Sequence, residues 1–236
     1  MTPSQDRIRA ISFDAYGTLL HLDRPFYRLV ENLQRIGLEV PLEIATKVFI
    51  QEMLYYREHH MEGSTPETLL SLRHKCAKRL FTMLAEEGYP ARVSEEQRLL
   101  VLMGAIHFEL YEDVLPVLEW CRAQGLTTGI VSNWDCSLKD TLAKLCAHDF
   151  ACLVVSACEG VEKGNTGLFL RAAQCFNLPP SEILHVGDEA DNDLYRAEQA
   201  GLRTVLLDRE GTQRHLDACR IETLGEFPAL FQRLFI

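Results

Sequence analysis

The chain has 236 residues, 47% of them hydrophobic, enough to bury one large domain or a core carrying one sizeable insertion. Its formal net charge is −10 and no basic run appears, which argues against nucleic acid or an anionic membrane surface as the main partner. No run of about 18 apolar residues exists to span a bilayer. The polar segment Met1–Arg9 lacks the apolar stretch of a signal peptide, so a cytoplasmic location is expected.

In chain order, Ile8–Phe13 is a short apolar run ended by Asp-Ala-Tyr-Gly-Thr, and it reads as a buried strand entering a tight turn. From Pro25 to Ile106 apolar residues recur at helical spacing, with helices expected from Pro25, from Pro41 and from Thr65. Thr65-Pro66-Glu67 suits a helix start, and Gly37 and Gly88 suit helix ends. A fourth helix follows Ser94, whose Ser-Glu-Glu-Gln makes a capping box with Gln97. After Glu112 the texture alternates. Helices are expected over Asp113–Gln124, Ser137–Cys146, Asn165–Phe176 and Asp191–Ala200, and strands over Thr127–Ser132, Ala151–Ser156, Ser181–Val186 and Arg203–Asp208. Strands alternating with helices imply right-handed crossovers and a parallel sheet covered on both faces. The fold class is therefore α/β: a three-layer Rossmann-like parallel-sheet core over 1–21 and 110–236, with an all-helical domain inserted over 22–109. The eight cysteines form no CxxC pair. Without an export signal disulfides are not expected, and zinc would lack close ligand pairs, so the thiols read as small buried hydrophobes.

In an open parallel sheet, ligands bind beyond the carboxyl ends of the strands. Four such ends carry polar residues: Asp14-Ala15-Tyr16-Gly17-Thr18, Ser132-Asn133, the loop containing Lys163, and Gly187-Asp188 with Asp193 close behind. A carboxylate there can attack phosphorus or carbon and form a covalent intermediate. A hard cation such as Mg²⁺ prefers carboxylate, carbonyl and water oxygens. A lysine and a hydroxyl can hold the transferred anion and its developing charge. Asn133 is read as shaping its loop, and Asp191 as a helix-start acid outside the site. Tyr55-Tyr56 and His59-His60 are read as one face of an amphipathic helix.

FDAYGTLL, SN, a lone Lys before a helix, and HVGDEADND stand in the order of the four motifs of the haloacid-dehalogenase-like superfamily, and the chain resembles that superfamily over essentially its whole length. The resemblance implies a hydrolase in which the helical insertion is a cap that closes over the site. It implies Asp14 as nucleophile, with Thr18, Ser132 and Lys163 completing the catalytic set. It further implies Mg²⁺ held by Asp14, the Tyr16 carbonyl, Asp188 and Asp193, and a small anionic molecule as substrate, with no nucleic-acid or membrane partner. Oligomeric state is left open. Where proline commonly follows the motif-three lysine in the superfamily, Gly164-Asn165 follows here; Asn165 or Thr166 can still cap the next helix.

Tyr16 sets how far this reading goes. Phosphatases of the superfamily usually carry a second aspartate at this position, which protonates the leaving alkoxide. A tyrosine of pKa about 10 is a poor replacement near neutrality. The DxYGT pattern instead resembles 2-haloacid dehalogenases, whose halide needs no proton. The fourth motif points the other way, because those dehalogenases work without Mg²⁺ and typically have Ser and Asn where this chain has Gly187-Asp188. A carboxylate beside Asp14 would raise the nucleophile's pKa unless a cation sits between them. The leading expectation is a Mg²⁺-dependent phosphatase acting on a small phosphorylated metabolite through an aspartyl-phosphate. A 2-haloacid dehalogenase and a non-catalytic binding protein on the same scaffold are the alternatives. A halide-holding arginine is not assigned, although Arg57 is the nearest candidate.

Overall fold

The computed structural model describes residues 7–235, so the first six residues of the polar Met1–Arg9 segment lie outside the described residues. Strands β1 (Ala10–Phe13) and β2 (Leu20–Leu22) precede helices α1 (Pro25–Arg35), α2 (Leu42–His59), α3 (Pro66–Glu86) and α4 (Glu95–Ala105). Then come β3 (Phe108–Leu110), α5 (Val114–Ala123), β4 (Thr127–Ser132), α6 (Leu138–Leu145), β5 (Cys152–Val155), α7 (Ser156–Glu159) and α8 (Gly167–Phe176). The chain continues through β6 (Ile183–Gly187), α9 (Arg196–Gln199), β7 (Arg203–Leu207), β8 (Arg220–Ile221) and α10 (Phe227–Phe235). It divides into two compact units. One takes the described residues up to His21 and from Leu110 onward; the other is Leu22–Glu109.

The first unit is built on a six-stranded sheet of order β5-β4-β1-β6-β7-β8. Every pairing in it is parallel. The run IRAISF becomes the central strand because all four residues of β1 are buried, so neither face can be polar to solvent. From β1 the chain order runs outward in both directions, to β4 and β5 on one side and to β6, β7 and β8 on the other. Phe13 is in register with Ile130 and with Val186, so the carboxyl ends of β1, β4 and β6 open side by side. That is the topological switch point, where an open parallel sheet leaves a crevice. A separate two-stranded sheet pairs β2 with β3.

The Leu22–Glu109 unit packs its four helices around Leu29, Leu33, Phe49, Leu72, Leu80 and Leu84. Its helix starts follow the sequence signals. Ser94 Oγ accepts the Gln97 N–H at 3.2 Å while Gln97 Oε1 accepts the Ser94 N–H at 2.9 Å. At α3 the reciprocal partner of Thr65 is Thr68. Gly37 and Gly88 sit just past helix ends with φ of 77° and 92°, a conformation that costs glycine little. Tyr55 stacks on His59 at 4.0 Å and lies under the Arg79 guanidinium of α3 at 5.1 Å, and His60 bonds the Arg57 carbonyl through Nδ1 at 2.8 Å.

Three expectations are corrected. The expected α-helix over Asp191–Ala200 begins as a π-helix, Ala190–Tyr195, and only Arg196–Gln199 is α-helical. The wider turn returns the Asp193 carboxylate onto Gly187, and such turns often mark functional sites. Cys152 and Cys175 are bonded as a disulfide although no thiol pairing was expected. They stand 23 residues apart, with no motif spacing, but α8 packs against β5 and brings their Cα atoms to 5.8 Å. The series of elements also continues beyond Asp208 with β8 and α10. No helix among the described residues is long and apolar enough to cross a membrane.

An ionisable group is buried within the Leu22–Glu109 unit. Glu52 on α2 is 3% exposed, and burial pushes its carboxyl from the usual 4.5 up to about 7, against a small opposing hydrogen bond from Cys76. Because the folded state favours the neutral acid, its favourable contribution is complete below pH 4.5 and is lost as pH rises toward 7. Denaturation of the protein across pH 4.5 to 8 is expected to show this loss, roughly 3 kcal/mol from the shift. Glu52→Gln should flatten that part of the profile and be the more stable protein at the alkaline end.

Candidate active site

Asp14 follows the last residue of β1 and keeps the strand's direction, its N–H donating to the Val186 carbonyl at 2.9 Å. The chain then turns sharply. Gly17, at φ 83°, donates its N–H to Leu20 O at 2.8 Å. Ser132 ends β4 and donates to Asp14 Oδ1 at 3.1 Å. Lys163 reaches the same oxygen from the loop after α7 and also bonds Asp193 Oδ1, at 2.5 Å. That loop is fixed from β4, because Asn133 Oδ1 accepts the Lys163 N–H at 2.9 Å. On its far side Asn165, not Thr166, supplies an acceptor for the start of α8, taking the Gly167 N–H at 2.8 Å. The glycine and asparagine after Lys163 thus leave its ammonium buried and doubly bonded.

Asp188 follows β6, and its carboxylate, with those of Asp14 and Asp193, offers oxygens that all lie within 4.8 Å of one another. Two glycines make this crowding feasible. A Cβ on Gly17 would lie 2.2 Å from Asp188 Oδ2, and one on Gly187 would lie 2.2 Å from Asp193 Cγ. Asp193 is fully engaged: Oδ1 takes Lys163 and His185, and Oδ2 takes the Glu189 N–H at 3.0 Å. The Asp188 carboxylate, by contrast, accepts no hydrogen bond from the described residues, although its carbonyl accepts one from Gln213 Nε2 at 2.9 Å.

The protonation pattern follows from these partners. Burial raises Asp14 to about 6, with Lys163 opposing and Asp193 adding to the shift. Asp188 is raised to about 8, first by burial and then by the charges of Asp14 and Asp193. Burial also works against ionised Asp193, but the Lys163 charge and the His185 and Lys163 hydrogen bonds outweigh it and hold its carboxyl far below the usual range. Lys163 is held above the usual lysine range because its two carboxylates overcome its desolvation.

Of the residues singled out in the sequence, Asp14, Ser132, Lys163, Asp188 and Asp193 are brought together. Tyr16 directs a side chain that is 42% exposed. The Thr18 hydroxyl is buried and has no hydrogen-bond partner among the described residues, so it is not joined to the Asp14 cluster. Ser12, His185 and Arg209 were not anticipated. Arg209, just after β7, bonds the Gly17 carbonyl at 3.3 Å and the Thr18 carbonyl at 2.9 Å, forks onto Asp113, and lies over the Tyr111 ring at 3.7 Å. It thereby ties the turn after β1 to the loop after β7. The signal for Ser12 and His185 was a polar residue interrupting each of two apolar strands.

A switch point that gathers three carboxylates and a lysine at the carboxyl edge of a Rossmann-like sheet describes a hydrolase core. The chain belongs to the haloacid dehalogenase-like hydrolase family, whose model matches residues 8–201. It is 28% identical over 229 residues to a glyceraldehyde 3-phosphate phosphatase of Methanopyrus kandleri, covering 93% of this chain and 92% of that protein. It is 33% identical over 135 residues to haloacid dehalogenase-like hydrolase domain-containing protein 3 of Danio rerio. That match spans about half of each, 55% of this chain and 55% of the zebrafish protein. Among solved structures, a 2-haloacid dehalogenase from Pseudomonas syringae superposes with a TM-score of 0.64 at 22% identity, covering 96% of this chain and 99% of that one. At that identity the likeness concerns the fold.

The close contact at Gly187 is open to a direct check. Gly187→Ala should force the Asp193 carboxylate away and cost about 1–3 kcal/mol, as overpacking does. Thermal denaturation reads this as a lowered melting temperature. An unchanged melting temperature would mean that Asp193 does not pack against Gly187.

Proposed function

We propose that the protein is a Mg²⁺-dependent phosphohydrolase that acts on a small phosphorylated metabolite through Asp14. The observation that carries this reading is the state of Asp188: a partly buried carboxylate that accepts no hydrogen bond from the described residues, set against Asp14 and Asp193. Asp193 and Lys163 balance one another, so Asp14 and Asp188, when ionised, would carry two negative charges for a divalent cation to cancel; without one, both carboxyls are raised, to about 6 and about 8. Asp14, the Tyr16 carbonyl and Asp188 would hold it. Asp193, with its oxygens already committed to Lys163, His185 and a backbone amide, orients Lys163 in this reading and does not bind metal directly. Bound there, Mg²⁺ would neutralise the carboxylates and draw charge from the phosphoryl oxygens.

In the proposed reaction an Asp14 oxygen forms a bond to phosphorus as the bond from phosphorus to the leaving oxygen breaks. Ser132 and Lys163, both already donating to Asp14 Oδ1, are placed to hold the phosphoryl oxygens as charge moves onto them. Water then attacks phosphorus, the Asp14–phosphorus bond breaks, and phosphate leaves with the carboxylate restored. No carboxylate stands at position 16 to protonate the leaving group, so that proton comes from solvent. Esters with stable leaving anions, such as aryl and acyl phosphates, are therefore the favoured class. The phosphatase name of the Methanopyrus kandleri relative supports a phosphorylated substrate.

Tyr16 supports the 2-haloacid dehalogenase as a second reading, in which Asp14 displaces halide from carbon. Against it, Gly187 leaves no room for the serine that those enzymes typically carry there, since a Cβ would meet Asp193. Hydrolysis of an activated aryl phosphate with Mg²⁺ separates the readings. Asp14→Asn should lower kcat by at least about 10³-fold, and Asp188→Asn should weaken Mg²⁺ binding measured by calorimetry. Equal rates for the parent and Asp14→Asn would refute attack by Asp14. Metal-independent halide release from a 2-haloalkanoate would establish the dehalogenase, and ligand binding with no turnover would leave a binding protein.

A further inference from the structure

Ser12 and Asp14 both stand on or just after β1 with their side chains on the same side of the strand, two residues apart. A chain of hydrogen bonds leaves one and returns to the other. Ser12 Oγ is 2.9 Å from His185 Nδ1, and the two residues are register partners on neighbouring strands. His185 Nε2 is 3.0 Å from Asp193 Oδ1, that oxygen is 2.5 Å from Lys163 Nζ, and Lys163 bonds Asp14. His185 is 0% exposed, and the ring of Phe169 packs edge-on against it at 5.0 Å.

We infer that His185 is a positioning residue: through Asp193 it fixes where Lys163 sits against Asp14, and Ser12 fixes His185. This rests on the proposed roles of Asp14 and Lys163. The proton arrangement follows from the partners. An ionised Asp193 can only accept, so His185 Nε2 carries the hydrogen. Nδ1 is then bare and accepts from the Ser12 hydroxyl, which locks the tautomer and the ring orientation. With Glu189 N–H on the other oxygen, the Asp193 carboxylate cannot rotate, and Lys163 has one place to sit between its two acids. Without the His185 donor, Asp193 depends on Lys163 alone for Oδ1. The ammonium is drawn toward Asp193 and away from Asp14. A leucine at position 185 would fill an otherwise apolar strand without any cost of burying a polar ring. The imidazole is explained by its two bonds.

Two measurements test this. In protein labelled with ¹⁵N at the imidazoles, His185 should appear as the neutral tautomer with hydrogen on Nε2, whatever the enzyme's activity. A hydrogen on Nδ1 would overturn the inference. In aryl phosphate hydrolysis, His185→Leu should lower kcat about 10- to 100-fold, as loss of such supporting bonds does, with KM little changed. His185→Gln, which can still donate to Asp193, should recover most of the loss. On a Lys163→Met background, His185→Leu should cost little more, because its effect passes through the lysine. The same fold-loss on both backgrounds, or a loss that merely tracks the unfolded fraction, would reduce His185 to a structural role. If His185→Leu fails to fold, Ser12→Ala tests the same relay with a smaller loss of kcat, and no loss overturns it. Full activity in Asp14→Asn would instead mean that the reading of the site itself is at fault.

Discussion

The buried ammonium of Lys163 is the contact on which the arrangement depends. Asp14, just after β1, and Asp193, within the π-helical turn, share it, and neither carboxylate could be buried and ionised at that spot alone. One positive charge satisfies two acids and leaves Asp188 over. The cluster is therefore stable enough to fold yet still short of positive charge on the side where Asp188 stands. In the proposed reading, that imbalance would draw in a divalent cation and, through the cation, an anionic substrate, in a chain whose overall charge of −10 would repel one.

Backbone conformation makes the crowding possible. Gly17 and Gly187 have no side chain because carboxylates occupy the space where a Cβ would be. The turn after β1 needs support from outside itself, since it runs through a positive φ and carries a buried Thr18 hydroxyl without a hydrogen-bond partner among the described residues. Arg209 provides that support with a guanidinium whose donors are spread over two backbone carbonyls and a carboxylate. A lysine has no such fork and could not span the three. The π-helical turn after Asp188 makes a similar local sacrifice of regular structure, and the gain is the position of Asp193.

Much of this was legible in the sequence, for identifiable reasons. Strands β1, β4, β5, β6 and β7 were readable because each is a short, largely apolar run bounded by turns, unlike the two-residue β8, and the four helices of Leu22–Glu109 because their apolar residues keep helical spacing, with capping residues at the starts of α3 and α4. Asp14 and Asp188 were readable because each directly follows a strand, Ser132 because it ends one, and Lys163 because it lies in the connection from a strand to the next long helix. What the sequence did not reveal were partnerships between distant residues. Ser12 and His185 are 173 positions apart and meet only because β1 and β6 are neighbours in register. Arg209 and Asp113, 96 positions apart, meet likewise only in the fold. Cys152 and Cys175 join because a helix returns over its own strand. The π-turn was hidden because its residues suit an α-helix equally well.

The proposed reaction turns on Asp14 forming a covalent bond to phosphorus. Rapid acid quenching during turnover of an activated aryl phosphate, followed by peptide mass analysis, observes that bond directly. A phosphoryl group on the peptide containing Asp14, absent from Asp14→Asn protein, is the predicted result. Sustained release of phosphate with no phosphorylated peptide at any quench time, or with the group on another residue, would contradict it.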